Sequence, residues 1–219
     1  MSRERGAIRA VSRAISKLLE IGSEPLSATA PLLLNEAAGS LQETHASLLG
    51  RRNGFFAFES ALRVFPSEPS AASYSLSEWN SPGLWKGTYG DLVGEAVFFA
   101  EDAFGGQFCF AQGAVCTFDP ETGGIKRIAG DLEEWARLLL DDYAYLTGHP
   151  LMHRWQVANG PLEWRKRLMP RIPFVCGGAF DIENLVAIEA AEAMGFRGEF
   201  ATQIRDLPDG TKIRFRFVD

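Results

Sequence analysis

The 219-residue chain contains only three cysteines and three histidines, and this scarcity removes several classes of protein at once. Cys109, Cys116 and Cys176 are too few for a disulfide framework, and neither CxxC nor a Cys/His zinc spacing occurs. No apolar run approaches the ~20 residues that cross a bilayer. Ser2 to Glu20 lacks the continuous apolar stretch of a secretory signal, so a cytoplasmic protein is expected. Also missing are GxGxxG, the GxxxxGKS/T phosphate loop, the GxSxG elbow, HExxH and the paired basic-aromatic strands of RNA binders. The reading therefore assigns no cofactor and no catalytic centre.

What is present suits one globular domain: 46% of residues are hydrophobic and 23% charged. Ile8, Val11, Ile15, Leu18 and Leu19 recur at helical spacing and predict an amphipathic first helix. Ser40 and Glu43 form a capping box for a helix over 41–51, which Asn53-Gly54 ends. Phe55 to Phe65 predicts one or two short strands, and residues 66–73 an exposed loop without core residues.

The middle of the chain is a meander. Residues 95–100, 107–111, 114–118 and 125–129 are strand-like runs separated by glycine-containing turns, which predicts an antiparallel sheet. Treating Gln112-Gly113 as a two-residue hairpin loop pairs Ala111 with Ala114, Phe110 with Val115, Cys109 with Cys116 and Phe108 with Thr117. A helix opening at Asp131 carries Leu132, Trp135, Leu139, Tyr143 and Leu146 as a stripe to cover one sheet face. Beyond Gly148, residues 172–176 read as a strand, helical residues run to about Met194, and 211–218 alternate as a final strand. Residues 151–219 have too few apolar groups to fold well alone and are expected to dock on the same core as an extension. The fold class is α+β, a mostly antiparallel meander packed against helices, with a small α/β extension.

Charge is uneven along the chain. Residues 91–142 hold eleven acidic against three basic residues, a surplus of eight negative charges, whereas the whole chain carries only −6. Such a surplus repels nucleic acid and attracts basic partners where it is gathered on one face. Four acids flanking the meander are the candidate partner-binding residues: Glu101 and Asp102 before Gly105-Gly106, and Asp119 and Glu121 in the Asp-Pro turn. As a catalytic pair Glu101 and Asp102 are poor, because neighbours on a strand point to opposite faces. His149 and His153 have the i,i+4 spacing of two metal ligands, but Pro150 intervenes and no third ligand is adjacent, so no metal is assigned. Cys176 before Gly177-Gly178 carries an alternative reading as the nucleophile of a hydrolase, with His45, His149 or His153 as base.

The order of motifs resembles the SUKH superfamily, which includes the fungal Smi/Knr cell-wall assembly regulators and bacterial toxin-immunity proteins. The resemblance runs through Glu36-Ala-Ala-Gly39-Ser-Leu41, Leu48-Leu49, Asn53-Gly54-Phe55, Glu78-Trp79-Asn80 with Trp85 and Tyr89, FFAEDAFGGQFCF, the DPETG turn and LEEWARLLL. It covers residues 24–147 and departs at Gln42, where the family has proline. The resemblance implies a non-enzymatic binding protein whose bacterial members neutralise a toxin, often a nuclease. A basic toxin domain is accordingly the expected partner, with an adaptor of an endogenous protein as the alternative.

Overall fold

The computed structural model describes residues 13–28, 40–208 and 210–213. Ile8 and Val11 of the first helix, the 36–39 motif and most of the final 211–218 run lie outside the described residues.

Two helices, α1 (Arg13–Ile21) and α2 (Ser40–Arg51), precede a hairpin of β1 (Phe55–Ala57) and β2 (Leu62–Val64). A short helix α3 (Leu76–Trp79) and a 3-10 segment (Lys86–Val93) lead into the meander. Its strands are β3 (Val97–Glu101), β4 (Gln107–Ala111), β5 (Ala114–Phe118) and β6 (Ile125–Ala129). Helices α4 (Leu132–Asp141), α5 (Tyr143–Thr147) and α6 (His149–Asn159) follow. The chain then forms β7 (Lys166–Pro170), β8 (Leu185–Glu189) and α7 (Ala190–Ile204). Strands β1 to β6 lie in sequence order in one antiparallel sheet, and β7 and β8 form a separate pair. The architecture is α+β.

The β4–β5 register is the one the two-residue loop dictates, with Cys109 opposite Cys116 and Phe110 opposite Val115. Gln112 (φ 53°) and Gly113 (φ 70°) both take the left-handed conformation that matches the twist of the flanking strands. Alternation then divides the side chains. Phe99, Phe108, Phe110 and Val115 face α1, α2 and α4, while Phe98, Cys109, Cys116 and Phe118 face Trp79, Trp85, Tyr89 and α7. A sheet covered on both sides explains why these strands read as almost unbroken apolar runs. Each buried phenylalanine contributes about 1.5–3 kcal/mol relative to exposure.

Helix α4 starts where Asp131 accepts a hydrogen bond from the Glu134 amide, and it buries Leu132, Trp135 and Leu139. It stops earlier than the apolar stripe implies. Asp142 breaks the helix and re-caps α5 through the Tyr145 amide, which leaves Tyr143 partly exposed. The loop at 66–73 is likewise less open than its turn chemistry implies, since Ala72 and Ser73 are buried.

The segment after Gly148 differs most from expectation. Phe174–Cys176 is a 3-10 turn. The strand lies earlier, over Lys166–Pro170, and Pro173 denies the 172–176 run an amide donor that a central strand needs. Helix α7 continues ten residues past Met194, through Gly195 and Gly198, to Ile204. Gly198 has a packing reason: a Cβ there would sit 2.0 Å from Thr88 Oγ1 and 2.7 Å from the Tyr89 ring. Close approach at this point lets Ala190, Ala191, Met194 and Ala201 join the cluster around Trp79 and Trp85.

Candidate binding cleft

The connections of the meander and the segment at 170–180 enclose a cleft of about 730 Å³. Asp102, Asp119 and Glu121 all line it, although they come from two different turns. The other wall of the cleft is formed by Tyr145 of α5, Phe174, Val175 and Phe180, with Arg197 of α7.

Local geometry fixes each acid. In the β3–β4 connection, Asp102 Oδ1 accepts hydrogen bonds from the Phe104 and Gly106 amides, both at 2.8 Å, closing a tight turn in which Gly105 has φ 78°. Burial raises the Asp102 carboxyl to about 7, despite these two donors. In the β5–β6 turn, Asp119 Oδ1 accepts from the Glu121 amide at 2.8 Å and the side chain is exposed. The Tyr89 hydroxyl donates to the Pro120 carbonyl at 2.8 Å and anchors that turn to the core.

Glu121 is a correction. The residue is buried, and its Oε2 accepts from the Val175 amide at 2.8 Å, which ties the 3-10 turn to the meander. Burial raises its pKa.

Glu101 is the larger correction. Its side chain is wholly buried, and its Oε1 pairs with Arg63 of β2 and, at 2.6 Å, with Arg167 Nε of β7. As the last residue of β3 it lies away from solvent, held between β2 and β7 by these two ion pairs. Strand alternation was legible, but the cover over that side chain comes from residues more than sixty positions away.

The acidic surplus is also dispersed. Glu133 accepts from the Ala14 and Ile15 amides of α1, at 2.5 and 3.2 Å. Asp91 pairs with Arg205 at 2.5 Å. Charge counted along the chain is therefore not charge on one face, and Asp119 is the exposed acid that the cleft retains.

The rim is apolar and open. Tyr145 is 82% exposed and Phe180 70% exposed, and Phe180 stacks on Phe174 with ring centroids 4.0 Å apart. Phe174 in turn meets Phe104 edge-on at 5.8 Å. Together these rings give the concave surface an exposed apolar rim. Inside, Arg197 is only 4% exposed. Its Nη1 donates to the Phe104 carbonyl at 2.5 Å, while its Nε and Nη2 have no hydrogen-bond acceptor among the described residues. Two buried donors without acceptors favour a ligand group that brings an oxygen.

Cys176 stands at the edge of this region, where burial and the neighbouring Glu121 charge push its thiol pKa up. A nucleophilic cysteine requires the opposite shift and an adjacent base. The three histidines are placed elsewhere. His45 is buried against the Phe99 and Phe110 rings, and His149 and His153 both meet Glu59.

No protein-family model matches the chain, and no curated protein matches it. Among solved structures, the chain is similar to the crystal structure of Atu4351 from Agrobacterium tumefaciens, with 13% identity, a TM-score of 0.48, and coverage of 86% of this chain and 88% of that one.

Proposed function

We propose that the protein is a non-enzymatic binding module that receives a segment of a protein partner in the cleft between the meander turns and the 170–180 segment. The observation that carries the reading is the combination of an exposed Tyr145/Phe180 rim with Asp119 at the mouth and the unsatisfied Arg197 donors within. A partner residue with an apolar body and a cationic end fits the rim and Asp119. A backbone carbonyl beside it satisfies Arg197. This chemistry agrees with the basic toxin domain that the SUKH resemblance implies, and toxin neutralisation is the role we assign.

The test uses two baits, the wild-type chain and Asp119→Lys/Phe180→Asp, both verified as folded by circular dichroism. The expected outcome is a stoichiometric basic partner held only by the wild type, whose toxicity disappears on co-expression. Equal capture by both baits would remove the cleft from the mechanism. Capture of a harmless resident protein would replace toxin neutralisation by the adaptor role.

A further inference from the structure

Helix α6 and the β1–β2 hairpin converge at a place the cleft does not use. His149 and His153 lie one turn apart on α6, with ring centroids 5.8 Å apart and planes inclined by 27°. Glu59, at the tip of the hairpin, reaches both: its Oε2 lies 2.7 Å from His153 Nδ1 and 3.5 Å from His149 Nε2. The three ligand atoms lie within 4.8 Å of one another. Pro150 does not disturb the spacing, because it occupies the first turn of the helix, where its missing amide donor costs nothing. The third ligand that adjacent sequence lacks arrives from ninety residues earlier in the chain.

We propose that Glu59, His149 and His153 form a binding site for a borderline divalent transition metal ion, with Zn²⁺ as the fitting ion and a fourth position open to water. Zinc is held by imidazole nitrogens at ~2.0–2.1 Å and carboxylate oxygens at ~2.0–2.2 Å, so tetrahedral ligand atoms stand roughly 3.3 Å apart. The 3.5 Å separation of Glu59 from His149 already meets that spacing, and the 2.7 Å contact to His153 opens by a small rotation of exposed side chains. Two imidazoles and a single carboxylate exclude the hard, oxygen-seeking Ca²⁺ and Mg²⁺.

The backbone that presents Glu59 is itself unusual. Phe58, Glu59 and Ser60 are three consecutive non-glycine residues in the left-handed region, with φ of 53°, 55° and 74°. Such residues persist where their surroundings hold them, and they concentrate at ligand clamps. Here the Phe58 ring stacks on Tyr143 at 4.7 Å, Tyr143 meets the His149 ring edge-on at 5.2 Å, and Gln156 donates to the Glu59 carbonyl at 3.4 Å. These contacts preorganise the carboxylate and one imidazole before any ion arrives. A bound ion would join the hairpin to α6 by coordination.

The experiment is titration of the full chain, freed of metal by chelator, with ZnCl₂ against a competing chromophoric chelator, repeated with CoCl₂. The expected result is saturable binding of one ion per chain, a cobalt d–d spectrum of tetrahedral type, and an upward shift of the melting temperature. His149→Ala, His153→Ala and Glu59→Gln should each abolish the saturable phase, while Cys176→Ser should leave it unchanged. Glu59 and His153 are exposed and His149 is largely buried, so the folding of each variant is checked by circular dichroism. Absence of saturable binding in the wild type, or binding that survives the histidine substitutions, would overturn the proposal.

Discussion

Replacing Glu101 by glutamine should destabilise the fold more than any other single charge removal in the protein. The wild-type carboxylate lies between two guanidiniums, Arg63 and Arg167, and all three side chains are at most 1% exposed. Burial lowers the Arg63 pKa to about 10, with Glu101 opposing and Arg167 adding to the shift. Two cations on one anion leave an excess positive charge, which the structure spreads. Arg63 Nη1 donates to the Trp164 carbonyl at 3.0 Å, and its guanidinium lies 5.2 Å from the Phe65 ring. Arg167 Nη1 donates to the Lys166 carbonyl at 3.0 Å and faces Phe56 at 5.8 Å. Without Glu101 two buried cations repel each other, at a cost of about 3–5 kcal/mol. For a chain of this size that corresponds to a melting temperature lower by roughly 6–20 °C. Arg167→Met should cost less, since it removes the surplus cation and leaves an Arg63–Glu101 pair. The combination Arg63→Met/Glu101→Leu/Arg167→Met should recover stability towards wild type, because apolar packing avoids the desolvation of three ions. Urea denaturation followed by tryptophan fluorescence measures all three variants, with Trp79, Trp85 and Trp135 buried as reporters. A Glu101→Gln variant within about 1 kcal/mol of wild type would refute the reasoning, because so small a loss is typical of a solvated pair.

His45, which is buried, and Asp102, which is partly exposed at the cleft, give stability slopes of opposite sign. Burial lowers His45 to about 4, so the folded state binds fewer protons than the unfolded one between there and 6.5, and stability falls as pH drops through that window. His45→Leu should remove that loss, worth up to about 3 kcal/mol. Asp102 is raised to about 7, so the folded state holds the proton longer and stability falls as pH rises from about 4 to 7. Asp102→Asn retains the amide-accepting oxygen and should exceed wild type at pH 8 by at most about 4 kcal/mol, while matching it near pH 4. Denaturant melts across a pH series separate the two, and parallel curves for wild type and variants would refute both. A thiol probe should label Cys176 first in the native protein, with Cys109, pushed up to about 12 by burial, reacting only on unfolding. Gly198→Ala should destabilise by about 1–3 kcal/mol in thermal melts, since its Cβ meets Thr88 at the helix crossing.

Local chemistry determined much of the fold. The Gln112-Gly113 loop set the β4–β5 register, because two left-handed residues leave only one pairing of the strands they join. Alternation along β4 and β5 assigned Phe108, Phe110 and Val115 to one face. The Asp131 cap placed the start of α4. All of these are set within a few residues, where turn geometry and hydrogen bonding leave few options. The 172–176 segment misled because its apolar content resembles a strand while Pro173 withholds a donor and the chain turns into a 3-10 segment.

Tertiary structure decided the rest. Asp102 and Asp119 were visible as turn residues, but only the fold of the 170–180 segment and α7 made them walls of one cleft. Glu101 has the same sequence character as Asp102, and what buries it is β7, whose arrival no local pattern announces. Glu59 carried no signal at all, being an exposed acid in a short loop until α6 brought His149 and His153 to it across ninety positions. Burial and ligand geometry depend on which surfaces meet, and pairwise contacts between distant segments leave no period or spacing for a single sequence to reveal. Turn type, register and capping were therefore readable from the chain, whereas the charge state, exposure and partnership of its acids belonged to the packed molecule.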